Sequence, residues 1–266
     1  MLARRAEANR MAEYASANRC LETQLRIALD DDVHPDARCG RCSVCTGRLP
    51  HGLPSRPEQA NIVTAQRFLR GVDHAIESRK RWAPGLVVPG LKMRSTTITQ
   101  VSLEGRALAY GDDAAWGAEI DALRFDGELG DELRDGVRKM LQRWRLMQST
   151  PPTVVVPVPS SRRPQLVASL AATVAAELGV PVLHALMLTP PSGPRSSATA
   201  RPAEIALRVA VRPGARVADQ RVLLVDDTAL TRWTLTIAGA LLRQAGAKSV
   251  APLVLHQLAA GDATEG

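Results

Sequence analysis

The chain is short of aromatics, lysines and cysteines, and each shortage narrows what it can be. Phe, Tyr and Trp together make up 3% of the 266 residues, so Leu, Val, Ile and Ala must fill its cores. Lysine occurs only at 80, 92, 139 and 248, although Lys and Arg total 34 against 27 acids. The net charge of +7 is therefore mostly arginine charge. Such a balance favours a polyanionic partner, and it is equally what GC-rich coding produces. No Gly-Lys dipeptide occurs. That excludes a phosphate-cradling G-x4-G-K-[ST] loop, so this chain alone is not expected to hydrolyse ATP or unwind DNA. No apolar run approaches the ~18–20 residues that span a bilayer. The opening MLARRAEANR lacks the apolar segment of a secretory signal. A reducing, cytoplasmic setting with no membrane partner is expected, nucleoid-associated if DNA is bound. There, clustered cysteines point to metal rather than to disulfides.

Punctuation divides the remainder into three parts. Residues 1–50 read as helix and loop, with Leu21, Leu25 and Leu29 on one helical face. The stretch 49–57, LPHGLPSRP, has three prolines and a glycine and reads as a linker. Residues 51–150 form a mixed connector, with helical patterns near 58–80 and 130–147 and a β-prone stretch at 95–101; a winged helix is one option for it. From Thr153 the pattern becomes strand, helix, strand. VVVPV precedes a helix stepping through Leu166, Leu170, Val174 and Leu178 to Gly179, followed by VPVLHALML. RVLLVDD, a helix over 234–245 closed by Gly246, and SVAPLVL complete the set. This alternation predicts a doubly wound, parallel α/β sheet over 151–260. The expected whole is multidomain α+β, ending in a frayed GDATEG.

All four cysteines fall at ligand spacing. Cys39-x2-Cys42-x2-Cys45 puts three thiols on one tight loop, and Cys20 lies 19 residues upstream. Zinc takes four soft ligands in a closed tetrahedron, and C-x2-C turns place sulfurs around one ion. A structural zinc site at Cys20, Cys39, Cys42 and Cys45 is expected, with His34 as an alternative to Cys20. The pattern Arg10-Met11-x2-Tyr14, Asn18-Arg19-Cys20, Cys39-Gly40-x-Cys42-x2-Cys45 resembles the zinc-binding subdomain of RecQ-family DNA helicases over about the first 48 residues. The resemblance implies DNA as a partner, a role in DNA repair, and helicase motor domains upstream or in trans. Residues 1–50 hold eight basic and seven acidic side chains, and zinc with four thiolates adds about −2. The zinc module itself is therefore not a strongly basic surface.

The run Val222-Leu223-Leu224-Val225-Asp226-Asp227-Thr228-Ala229-Leu230-Thr231-Arg232-Trp233-Thr234 resembles the diphosphosugar signature of type I phosphoribosyltransferases. A buried strand ends in two carboxylates able to accept from ribose hydroxyls, and the next turn offers N–H groups at a helix N-terminus to a phosphate. The resemblance covers 153–256, with Val156-Pro157-Val158-Pro159-Ser160-Ser161 in the place of a pyrophosphate loop and 195–208 in that of a mobile loop. It implies a phosphoribosyl or nucleotide ligand with Mg²⁺, held by Asp226, Asp227, Thr228, Thr231, Arg232, Trp233 and Thr234. The family has glycine and a small residue where this chain has Arg232 and Trp233, which puts turnover in doubt, and no catalytic residue is assigned. From 78 to 103 there are five basic residues and no acid. Arg79, Lys80, Arg81, Lys92 and Arg94, with Trp82 interleaved, are the candidate DNA contacts. The favoured expectation is a non-motor C-terminal region of a RecQ-like helicase carrying a phosphoribosyltransferase-like domain. An active transferase resembling the competence-associated ComF proteins is the alternative.

Overall fold

The computed structural model describes residues 2–16, 18–49, 53–54, 56–93, 95–189 and 208–259. Arg94, the expected loop except for Arg208, and the GDATEG tail lie outside them. The chain divides into two compact units, Met1–Thr64 and Ala65–Gly266.

The first unit contains α1 (Leu2–Ala15), α2 (Leu21–Ala28) and the single turn α3 (Ser43–Thr46). Its one buried residue on α2 is Thr23, whose hydroxyl donates to the Ala37 carbonyl at 2.8 Å. The leucine face read from the sequence is largely solvated, with Leu25 49% and Leu29 80% exposed. This unit is organised around its cysteine loop rather than around an apolar core. Helix α4 (Gln59–Leu69) follows.

The second unit is mixed α/β with a mostly parallel sheet. Its strands are β1 (His74–Ile76), β2 (Gly105–Tyr110), β3 (Val154–Pro157), β6 (Arg221–Ala229) and β7 (Ser249–Gln257), in the order β1-β2-β7-β6-β3. Only β1 runs antiparallel, pairing His74 with Ala107 at the edge. The Val- and Leu-rich runs of β3, β6 and β7 are buried on both faces, as parallel strands require. Successive residues serve opposite cores. Val222 and Leu224 of β6 pack with α9 (Trp233–Gln244), whereas Leu223 and Val225 pack with α6 (Asp131–Arg143) and α8 (Pro164–Leu178). Helix α8 opens on a proline, where no N–H is needed, and closes on Gly179 at φ 65°.

Three expectations change. Residues 65–150 do not stand apart from 151–259, because β2 is hydrogen-bonded to β7 from Arg106↔Leu253 to Tyr110↔Gln257. The register that joins them depends on Gly105, where any Cβ would lie 2.4 Å from the Pro252 carbonyl. The helical pattern near 58–80 stops at Leu69, and His74–Ile76 is spent on the sheet edge. Finally, VPVLHALML is not a strand of the parallel sheet; it is hydrogen-bonded to it through an isolated Val155↔Val182 bridge and packs on it through Ala185 and Leu186. Its last part, β4 (Leu186–Leu188), pairs antiparallel with β5 (Val209–Val211) in a separate ribbon. Short elements α5 (Gly117–Ala122) and α7 (Arg145–Ser149) complete the unit.

From β3 the chain steps outward through α8 to Val182, and from β6 it steps the other way through α9 to β7. The carboxyl ends of β3 and β6 therefore flank a topological switch point, where open α/β sheets form their ligand crevice.

Candidate functional site

In the first unit the four cysteine sulfurs converge. All lie within 4.8 Å of one another, with Cys20–Cys42 at 3.9 Å and Cys39–Cys45 at 4.0 Å. A tetrahedral ion with Zn–S bonds of ~2.3 Å sets S···S edges of about 3.8 Å, so this donor set fits zinc. His34 is not in the cluster; its Nδ1 accepts the Asp36 N–H at 3.2 Å. Three peptide N–H groups turn toward the sulfurs: Cys39 to Cys20 at 3.4 Å, and Arg41 and Cys42 to Cys39 at 3.5 and 3.2 Å. They favour thiolate over thiol by hydrogen-bonding the charged form. The loop turns at Gly40, φ 73°. It is tied to α2 by Arg41, whose Nε and Nη2 reach the two Glu22 oxygens at 2.6 and 2.8 Å. The same bonds hold the Glu22 carboxyl below its ordinary range.

The second unit gathers its chemistry at the switch point. Asp226 and Asp227, near the end of β6, are 7% and 5% exposed. The Asp227 N–H donates to Asp226 Oδ1 at 2.9 Å. Arg163, the N-cap of α8, brings Nε to 2.7 Å from Asp227 Oδ2. That oxygen nevertheless has no hydrogen-bond partner, so the N–H is not aimed at it and the contact is ionic. Burial, and then the neighbouring Asp227 charge, push Asp226 well above the usual carboxyl range. Burial also raises Asp227, with Arg163 opposing the rise.

Two cavities adjoin the pair. One, of about 210 Å³, is bordered by Ser160, Ser161, Arg162, Arg163, Arg208 and Asp226. The other, of about 90 Å³, lies in the 228–234 turn beside Thr228, Thr231 and Arg232. Both reach Asp226 and Thr234. Asp227 borders neither. Period-two alternation sends its side chain to the opposite face, so the two carboxyl groups do not face one cavity as expected, and Asp226 alone of the pair borders both.

Arg232 adopts φ 63°, ψ 6°, the left-handed conformation that glycine supplies at no steric cost. The turn thus keeps its shape without glycine. Its side chain leaves for the Glu77 carbonyl, to which Nη1 donates at 3.2 Å. Trp233 is 8% exposed and stacks on Trp82, ring centroids 6.5 Å apart and planes 15° off parallel.

The basic segment splits on this point. Arg79 Nε and Nη2 donate to the Thr231 carbonyl at 3.0 and 2.8 Å, and its guanidinium lies 4.0 Å above the Trp233 ring. Burial, then the charge of Arg232, lower the Arg79 pKa. Trp82 is 6% exposed. Arg79 and Trp82 therefore brace the 228–234 turn from outside, and the buried Trp82 has no free face for an unpaired base. Lys80, Arg81 and Lys92 are exposed. The Lys92 N–H donates to Gln244 Oε1 at the far end of α9. Sequence reading missed Arg162 and Arg163, whose only signal was the SSRRP that follows a buried strand.

Fold and crevice define an α/β protein with an arginine-lined crevice at the switch point of its sheet. No family model and no characterised protein sequence matches the chain. Among solved structures it is similar to glutamine phosphoribosylpyrophosphate amidotransferase from B. subtilis complexed with ADP and GMP. The identity is 26% over 46% of this chain and 26% of that one, with a TM-score of 0.32. Adenine phosphoribosyltransferase from Leishmania tarentolae gives 17% identity over 47% and 69%, with a TM-score of 0.32. The Trypanosoma brucei enzyme in complex with AMP, pyrophosphate and ribose-5-phosphate gives 15% over 76% and 84%, with a TM-score of 0.34. The chain thus spans about a quarter of the amidotransferase's length. Among the described residues no helix is long and apolar enough to cross a membrane.

Proposed function

We propose that the second unit is a phosphoribosyl- or nucleotide-binding module of the phosphoribosyltransferase type. One observation carries this reading: two cavities, of about 210 and 90 Å³, meet at Asp226 and Thr234 on the switch point. Arg162, Arg208 and two serine hydroxyls on one side suit a diphosphate, because guanidinium groups match phosphate oxygens in pairs. The 228–234 turn, with Thr231, Thr234 and the N-terminus of α9, suits a second phosphate. Among the described residues only the four cysteines cluster as a metal site. Mg²⁺ would therefore arrive on the ligand's phosphate oxygens. Calorimetry with phosphoribosyl diphosphate and ribose 5-phosphate, with and without Mg²⁺, tests the reading. It is abandoned if neither ligand binds.

For the first unit we infer a structural zinc site at Cys20, Cys39, Cys42 and Cys45, and on their spacing a RecQ-type zinc module. In that reading the chain is a non-motor C-terminal region of a RecQ-like helicase, engaging DNA through Lys80, Arg81 and Lys92, with motor domains upstream or in trans. An active ComF-like transferase is the second reading. The left-handed Arg232 favours it, since the turn holds the conformation that a catalytic phosphate loop needs. An assay for pyrophosphate release with common nucleobases separates the two.

A further inference from the structure

Two adjacent carboxyl groups are buried at the switch point, and among the described residues a single cation touches them. Asp226 and Asp227 are both more than nine-tenths buried. Among the described residues Arg163 is the one side chain in an ion pair with either, and it pairs with Asp227. Arg162 and Arg208 border the larger cavity and Arg232 the smaller, without pairing to Asp226. On the remaining neighbour, β7, His256 lies opposite Thr228 and directs Nε2 to the Gly111 carbonyl at 2.9 Å. Two like charges on neighbouring buried residues with one counter-ion do not both ionise, and the one lacking the counter-ion keeps its proton. The geometry makes that one Asp226, the carboxyl that lines both cavities.

We propose that Asp226 meets the ligand as a carboxylic acid, donating its O–H to a phosphoryl oxygen, while Asp227, held by Arg163, is the ionised member of the pair. This rests on the phosphate-binding reading above and deepens it. A carboxylate at the centre of the crevice would repel a diphosphate; an acid adds a donor to those of Arg162, Arg208, Ser160 and Ser161. The crevice then selects ligands rich in acceptor oxygens, and Arg163 acts as a positioning residue that decides which carboxyl holds the proton. Burial and the neighbouring Asp227 charge, which push Asp226 well above the usual carboxyl range, agree with this assignment.

The test compares the full-length chain with Asp226→Asn, using inorganic diphosphate as the probe in calorimetry at pH 7. Asn is a neutral donor of nearly the same shape and keeps that bond, so affinities within about threefold of each other are expected. Asp226→Ala, which has no donor, should bind diphosphate at least tenfold more weakly; an alanine variant that binds as wild type does overturns the proposal. If Asp226 were ionised, removing its charge would strengthen binding at least tenfold, and that result overturns the proposal. Infrared spectroscopy reads the proton directly and needs no ligand. Wild type at pH 7 should show a protonated-carboxyl C=O band that Asp226→Asn lacks, and wild type without that band also overturns the proposal. If diphosphate binds neither protein, the phosphate-binding reading fails, and the infrared band alone then decides the state of Asp226.

Discussion

Replacing Arg232 with glycine and, separately, with alanine isolates the backbone cost of the β6–α9 turn. Arg232 sits at φ 63° as the N-cap of α9. A residue with a Cβ pays about 1–2 kcal/mol there relative to glycine. Glycine in turn has more unfolded-state freedom to lose, roughly 0.4–1 kcal/mol. The glycine variant should therefore exceed the alanine variant by about 0.5–1 kcal/mol. Both lose the 3.2 Å bond to the Glu77 carbonyl, which on an exposed group contributes roughly 0.5 kcal/mol. Relative to wild type, Arg232→Gly is then neutral to slightly stabilising, and Arg232→Ala costs about 0.5 kcal/mol. Urea unfolding followed by tryptophan fluorescence suits the measurement. Trp82, Trp116, Trp144 and Trp233 all lie in the second unit and are all buried, so the signal reports that unit. Equal m-values with a higher midpoint for glycine are expected. An alanine variant as stable as the glycine variant would show that the left-handed turn is not the strained element argued here.

Three further outcomes are expected. The purified chain should carry one zinc ion, and chelation or Cys42→Ser should remove it and expose the 20–45 segment to proteolysis; less than half an equivalent by elemental analysis refutes the site. Arg79→Ala should destabilise the second unit by roughly 2–3 kcal/mol, since two charged hydrogen bonds and a cation–π contact are lost and the Thr231 carbonyl is left unpaired; a cost under 0.5 kcal/mol in the same urea assay counts against the bracing role. The two aspartates make a signed pH prediction. Their native pKa values are raised, so the native state holds more protons than the unfolded chain. Their contribution to stability is full below the unfolded value of about 3.9 and is lost as pH rises through the native values. Asp226→Asn should flatten that decline, and an unchanged stability–pH curve argues against a buried, protonated Asp226.

The cysteine spacing, the β6–α9 turn and the helix ending at Gly179 were legible from residue order, because each is a local device. C-x2-C places sulfurs within one turn, and a buried aliphatic run ending in acids before a helix sets its own strand–turn–helix junction. Even the demand for a left-handed residue at 232 was visible as the absence of an expected glycine. What residue order could not specify was who meets whom across 50 to 150 positions. Gly105 and Pro252 fit only when β2 lies against β7. Arg79 and Trp82, in a stretch free of acids, look from the sequence like a nucleic-acid surface, yet Trp82 is buried and Arg79 half-buried against Trp233. Arg163 and Asp227, 64 positions apart, become an ion pair only because β3 and β6 are neighbours at the switch point. Local sequence fixes turns and faces through short-range sterics and periodicity. Which charges share a buried crevice is decided by strand order, and with it which of two adjacent acids meets Arg163.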